Sequence, residues 1–298
     1  MVRIASRRIG PDRTLRHTDA VWAIAIAPDG SWLASVAADG TVWTWRPDGE
    51  LIVKLAGHDT RAEHVAIAPD GSWLASVAGD HIARIWRPDG EAVATLTGHR
   101  DGVVRVAIAP DGSWLVTTSA DQTARIWRPD GEPLATLVGH GRSVHDVTIA
   151  PDGSWLVTTS ADHTARMWRP DGEAVATLTG HSHQLYDAAI APDGSWLAST
   201  SLDGTARIWR PNGEAVATLA DHGGDVYDVA IAPDGSWLVT SSADETARIW
   251  RPDGEPLATL TGHEGEVFDV AIAPDGSWLA TTSADDTVRI WTLVDNRG

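Results

Sequence analysis

Cysteine is absent from the 298 residues, which excludes disulfides, thiolate metal sites and a cysteine nucleophile. No apolar run approaches the length of a membrane-spanning helix. The opening MVRIASRRIG holds no apolar stretch of the kind a cleaved secretion signal needs. A cytoplasmic location is therefore expected. Basic residues are scarce: 23 Lys and Arg stand against 41 Asp and Glu, a formal net charge of −18. That charge repels phosphate backbones and anionic lipid, so neither nucleic acid nor a membrane is expected as a partner. Tyr numbers two and Phe one, yet Trp numbers 16, and the apolar fraction is 43%. Tryptophan spread evenly through such a chain points to a large folded core rather than disorder.

What is present is a repeat. The segment APDGSW recurs with its Pro at 28, 69, 110, 151, 192, 233 and 274, an interval of 41 residues each time. The seven units begin at His17, His58, His99, His140, His181, His222 and His263. Each contains four short runs rich in β-branched residues and Trp, such as VVRVAIA, SWLVTTS, TARIW and PLATLV in the third, separated by turn signals. Ala-Pro-Asp-Gly places Pro second and Gly fourth, which suits a type I hairpin turn. No stretch carries helical periodicity. The expected fold is all-β: seven four-stranded antiparallel meanders in one domain spanning 1–298.

The unit resembles the WD-repeat β-propeller family over about residues 17–292. The Gly-His before the first strand, the Ser and Asp around the second hairpin and the Trp ending the third strand carry the likeness. One departure recurs. The Asp that follows Trp in the family's naming dipeptide is Arg46, Arg87, Arg128, Arg169, Arg210, Arg251 or Thr292 here. The resemblance implies a closed ring in which an N-terminal strand, around PDRTLRH, completes the last blade. It also implies a hydrogen-bonded tetrad in each blade. The tetrads read as His99, Ser119, Asp121, Trp127; His140, Ser160, Asp162, Trp168; His181, Ser201, Asp203, Trp209; His222, Ser242, Asp244, Trp250; and His263, Ser283, Asp285, Trp291. On this alignment the Ser is replaced by Ala37 and Ala78 in the first two repeats, which are expected to be weaker there.

His, Ser and Asp together are the residue types of a hydrolytic triad. A catalytic set occurs once, whereas this set recurs every 41 residues with a Trp, so a structural role is expected. No phosphate loop, HExxH or EF-hand pattern is present. The chain reads as no enzyme, with no cofactor. Five histidines, His64, His81, His145, His163 and His183, lie outside the tetrads, but their spacing fixes no ligand geometry and no metal site is assigned.

Variation among the copies concentrates in two places: the six residues after each starting His and the single residue after each hairpin Asp. In a meander both fall on one edge, while the near-constant APDGS and RPDGE turns fall on the other. A constant edge and a diversified one is what a binding surface on a repeat scaffold looks like. Every Tyr and Phe stands at one variable position, occupied in order by Trp22, Glu63, Val104, His145, Tyr186, Tyr227 and Phe268. The next residue is acidic in four successive repeats: Asp146, Asp187, Asp228 and Asp269. With Glu245 and Asp286, repeats 5–7 carry eight acidic residues at variable positions and no Lys or Arg. The candidate ligand surface is thus Trp22, His145, Asp146, Tyr186, Asp187, Tyr227, Asp228, Phe268, Asp269, Glu245 and Asp286. It suits a protein or peptide bearing Lys or Arg.

The expected function is a non-catalytic scaffold or sensor module, monomeric. The near-identical copies are similar to the propeller arrays of bacterial signalling ATPases and kinases. A carbohydrate-binding propeller and a recently amplified or engineered array without an evolved ligand stand as alternatives.

Overall fold

The computed structural model describes residues 15–292. Among these there is no helix. Each repeat builds one antiparallel sheet in which sequence neighbours pair, giving six four-stranded sheets and a seventh of three strands. Sheet 1 comprises Val21–Ile26, Leu33–Ala37, Val42–Trp45 and Leu51–Leu55. Sheet 2 comprises Ala62–Ile67, Leu74–Ala78, Ala83–Trp86 and Ala92–Leu96, and sheet 3 comprises Val103–Ile108, Leu115–Ser119, Thr123–Trp127 and Pro133–Val138. Sheet 4 comprises Val144–Ile149, Leu156–Ser160, Ala165–Trp168 and Ala174–Leu178, and sheet 5 comprises Leu185–Ile190, Leu197–Ser201, Ala206–Trp209 and Ala215–Leu219. Sheet 6 comprises Val226–Ile231, Leu238–Ser242, Ala247–Trp250 and Pro256–Leu260, and sheet 7 comprises Val267–Ile272, Trp278–Ser283 and Val288–Thr292. The segment PDRTLR that would supply a fourth strand for sheet 7 lies outside the described residues apart from Leu15 and Arg16.

The first hairpin follows from its sequence. Gly30 N–H donates to Ala27 O at 2.8 Å, closing the turn over Pro28 and Asp29, and Gly30 takes φ of 69°. That left-handed value has little steric cost only for glycine. Asp29 Oδ1 then accepts from Ser31 N–H at 2.9 Å, and the same bond recurs in the later repeats, for instance from Ser113 to Asp111 and from Ser236 to Asp234. The turn is built almost wholly from local bonds, which is why its wording does not vary.

Two compact units are distinguishable. One holds Trp168–Ala174 and the described residues up to Thr158; the other holds Thr159–Met167 and the described residues from Val175 onward. In the first, Trp32 and Leu55 of sheet 1 pack against Ala62, Val65 and Trp86 of sheet 2. Ile85 and Leu96 of sheet 2 pack against Val103, Val106 and Trp127 of sheet 3. In the second, Ile208 and Leu219 of sheet 5 meet Val226, Val229 and Trp250 of sheet 6. Each such buried aliphatic side chain contributes about 1.5–3 kcal/mol relative to an exposed one. The tryptophans ending the third strands are buried throughout, whereas those of the SWL segments range from buried Trp32 and Trp114 to exposed Trp278.

The Arg that replaces the family's Asp has a partner of its own. Arg128 Nη1 lies 2.6 Å from Glu132 Oε2, and Arg251 pairs with Glu255 at the same distance. Both members are more than half exposed, so each pair is worth about 0–1 kcal/mol. These pairs partly offset the negative charge of the constant turns.

Candidate functional site

The tetrad hydroxyl is two residues earlier than the sequence alignment placed it. In sheet 3, His99 Nε2 lies 2.8 Å from Thr117 Oγ1, and Trp127 Nε1–H donates to the same oxygen at 2.9 Å. His99 Nδ1 lies 2.9 Å from Asp121 Oδ2. Asp121 therefore accepts the hydrogen bond from Nδ1–H, leaving Nε2 to accept from the Thr117 hydroxyl. The counterparts of Thr117 are Ser35, Ser76, Thr158, Ser199, Thr240 and Thr281, each bonded to the Trp ten residues on. Ser119 does other work: its Oγ donates to Asp101 O at 3.0 Å and accepts from Asp121 N–H at 3.0 Å, tying the link to the hairpin. Ser201, Ser242 and Ser283 hold the link carbonyls in the same way, and Ser160 accepts from Asp162 N–H at 3.1 Å. So Ala37 and Ala78 leave the tetrad hydroxyls in place, supplied by Ser35 and Ser76, although His17 Nδ1 of repeat 1 lacks the bond that His58 Nδ1 makes to Asp80. The two alanines remove the bond to the link carbonyl and the one from the hairpin Asp N–H that Ser119 makes.

The electrostatics match this arrangement. Burial lowers the pKa of His58, His99, His181 and His222, against the raising effect of their Asp partners. Burial pushes Asp121 upward, but bonds from Thr123, the Arg100 amide and His99 outweigh it and hold the carboxyl at about 2. Asp244 is held at about 2 by the same set from Thr246, Gly223 and His222. A neutral imidazole beside an ionised carboxylate resembles half of a triad, but Thr117 is fully buried, and no substrate can reach its Oγ1.

The variable residues of the first strand lie on a β-bulge. In sheet 5 the pairing passes from Leu185↔Ser201 to Ala188↔Ser199, so Tyr186 and Asp187 together oppose Thr200. In sheet 6, Tyr227 and Asp228 likewise oppose Ser241. A bulge turns side chains away from the regular alternation. The opposing hydroxyl repairs the ladder: Asp187 N–H donates to Thr200 Oγ1 at 3.1 Å, and Asp228 N–H donates to Ser241 Oγ at 3.2 Å. The same hydroxyls reach the next sheet, Thr200 Oγ1 donating to Tyr227 O at 3.0 Å and Ser241 Oγ to Phe268 O at 3.2 Å.

This geometry brings three rings into a row. Tyr186 and Tyr227 meet edge to face with centroids 5.8 Å apart, and Tyr227 and Phe268 are tilted at 5.8 Å. Tyr186 and Phe268 are 39% and 47% exposed. Tyr227 O–H donates to Glu266 Oε2 at 2.9 Å; burial and this neighbour raise the phenol's pKa. Trp22, at the same position of repeat 1, is exposed and already carries a cation: the Arg61 guanidinium sits 4.3 Å from its ring centre. His145 is half-buried at that position of sheet 4. Glu245 and Asp286 sit exposed at hairpin tips, with φ of 66° and 61°. Among the described residues no hydrogen bond or ion pair joins either to the ring row.

Beneath the rings runs a column of carboxylates. Asp187 Oδ2 accepts from Val229 N–H at 3.2 Å, and Asp228 Oδ2 accepts from Val270 N–H at 2.8 Å, so each carboxyl clamps the next sheet. Burial, then the charges of Asp187 and Asp269 and hydrogen bonds to both, raise Asp228 well above the usual carboxylate range. The sequence places His64, Arg105 and Asp146 at this position in repeats 2–4, and there the chemistry differs. Arg105 Nε lies 2.9 Å from Asp146 Oδ1. Burial, then Arg105, depress His64 to about 3. Asp146 was legible as part of the acidic run, but His64 and Arg105 were not read as its neighbours; the fixed spacing of 41 residues was the signal that could have found them.

Repeat 1 departs elsewhere. Trp43 replaces the third-strand Arg of later repeats and stacks on Trp45 at 5.3 Å, while its cross-strand partner Lys54 lies 4.7 Å from the Trp43 ring centre. Where later repeats pair Arg with Thr across these strands, as in Arg84↔Thr95, repeat 1 pairs a ring with a cation.

Seven antiparallel sheets, one per 41-residue unit and each tied by a His–hydroxyl–Trp chain, define a repeat protein with the sheet content of a seven-bladed propeller. The sequence pattern of the WD domain, G-beta repeat family matches residues 10–46, 49–87, 90–128, 131–169, 172–210, 213–251 and 254–292. The chain belongs to that family. Such domains generally mediate protein interactions and are generally non-catalytic. No curated protein matches the chain.

Proposed function

We propose that the protein is a non-catalytic interaction module that binds a protein or peptide segment carrying Lys or Arg. The ring row of repeats 5–7 and its flanking carboxylates form the contact. One observation carries the reading: Trp22 already holds Arg61 at 4.3 Å, so this rim position accepts a guanidinium, while Tyr186, Tyr227 and Phe268 offer three rings in repeats without a variable-region cation. A desolvated cation over such a ring is worth about 2 kcal/mol. The test is a library of Arg- and Lys-containing peptides screened against the wild type and the triple variant Tyr186→Ala, Tyr227→Ala, Phe268→Ala. Binding of cationic peptides, lost in the triple variant and on replacing the peptide's cations with Gln, supports the reading. Equal binding by both proteins overturns it, and selective retention of a glycan would favour a carbohydrate ligand instead.

The module acts as one closed domain in this proposal, monomeric and cytoplasmic, in the manner of bacterial signalling arrays. The support for closure is an uncovered apolar face on sheet 1. Val21 and Ile24 of sheet 1 are exposed although their counterparts Ala62 and Val65 are buried. Deleting residues 1–20 is expected to abolish cooperative melting. An unchanged transition would refute closure through the N-terminal strand.

A further inference from the structure

We propose that His163 and His183 form a surface site for a divalent transition-metal ion of the zinc, nickel or copper class, with the two imidazoles as its protein ligands. The inference is independent of the ring row and uses none of its residues.

The site follows from a juxtaposition the repeat makes more than once. The residue after each hairpin Asp faces the second residue after the starting His of the next repeat. His81 Nε2 thus lies 4.0 Å from Asp101 Oδ1. Where both positions are glycine, as at Gly204 and Gly224, a shallow open depression remains. At His163 and His183 both are imidazoles, with ring centres 5.6 Å apart and planes within 10° of parallel.

Both backbones are held. His163 takes a left-handed φ of 69°, and its N–H donates to Ser160 O at 3.3 Å. The carbonyl of His183 accepts from Ser201 Oγ at 3.1 Å. The rings therefore start close together, with only side-chain rotation left to spend. Imidazole lone pairs lie in the ring plane, so in this nearly parallel arrangement one ring must turn before a nitrogen of each can reach an ion at about 2.0–2.1 Å. Neighbouring carboxylates are engaged elsewhere: Asp162 accepts from Thr164 and Asp203 is bonded to His181. Among the described residues no third His, Asp or Glu completes a cage. The remaining coordination positions stay open to water or to a ligand from a partner, and exchange is fast. Imidazole ligation selects zinc, nickel and copper over magnesium and calcium.

The test titrates Zn²⁺, Ni²⁺ and Mg²⁺ into the full chain by calorimetry, with the imidazole resonances followed by NMR. One equivalent of zinc is expected to bind and to shift the His163 and His183 ring signals, leaving the buried His181 and His222 signals in place. Mg²⁺ is expected to give no response. His163→Asn, which tolerates the left-handed backbone, and His183→Ala are each expected to weaken zinc binding by at least about tenfold, while His81→Ala leaves it unchanged. Zinc binding unaltered in the double variant overturns the proposal, as does the absence of ring shifts at millimolar zinc. Unchanged melting of the apo variants separates lost ligation from lost fold.

Discussion

His64, Arg105 and Asp146 stand at one position of three consecutive repeats; Asp187, Asp228 and Asp269 stand at the same position of the next three. The backbone around them is alike, bulge included, and so are the tetrads behind them. The side chains meet the demand in opposite ways. In the first group a cation lies beside a carboxylate, and the imidazole next to them is kept neutral. In the second, carboxyl groups face one another without a cation at that position, and burial with the charges of Asp187 and Asp269 raises the pKa of Asp228. A repeat scaffold thus fixes where a side chain goes without fixing how its charge is balanced.

This contrast can be tested first where the two groups ought to agree. Thr117→Val and Thr240→Val each strand a Trp N–H and a His nitrogen in a buried tetrad, and each is expected to cost about 2–4 kcal/mol. Clearly unequal costs in chemical denaturation would show that the groups differ in more than one column. Next comes Arg105→Met. Asp146 is nearly buried and Arg105 is partly exposed, so the loss should be about 1–3 kcal/mol, below that of a fully buried pair. A neutral result would remove the salt bridge from the account of the first group.

Asp228→Asn should act with the opposite sign. Asn keeps an acceptor for Val270 N–H and offers the flanking carboxylates a donor that never ionises. A gain of about 0.5–2 kcal/mol at neutral pH is expected in melting experiments; destabilisation would mean that the proton is not held there. The pH dependence separates the groups further. Asp228 is raised in the fold, so its contribution is complete below the ordinary carboxylate range and is lost as pH rises through its folded value. His64 is depressed to about 3 from 6.5, so its contribution is complete above 6.5 and is lost as pH falls toward 3. Asp228→Asn should flatten the alkaline side of the stability profile and His64→Gln the acidic side. The smallest effect is expected from Ala37→Ser and Ala78→Ser, about 0.5–1 kcal/mol each in favour of the fold, through a restored link bond like that of Ser119. No change in either would mean that the link is held well enough without it.

The strand content, the hairpins and the edge on which variation collects were legible because each depends on local pattern repeated seven times. The tetrad hydroxyl was misplaced for a physical reason. Residues two apart in a strand face the same way, and repeats 3–7 carry a hydroxyl at both positions, as in Thr117 and Ser119. Repeats 1 and 2 held the answer, since Ser35 and Ser76 keep the hydroxyl where Ala37 and Ala78 lack it. The ring row could be listed from the sequence, but not its edge-to-face contacts, which arise from the bulge. Neither could the raised pKa of Asp228, which depends on how closely three sheets bring their carboxyl groups.

The seam between sheets 5, 6 and 7 is sewn through main-chain atoms: the hydroxyls of Thr200 and Ser241 grip the carbonyl oxygens of Tyr227 and Phe268, whose side chains take no part in those bonds. Any L-residue except one that cannot enter the bulge presents the same carbonyl. The main-chain part of the seam is thereby independent of which rim residue is present, while the ring contacts among Tyr186, Tyr227 and Phe268 add to it. The scaffold behaves as a cartridge holder whose contents can be exchanged without rebuilding the frame.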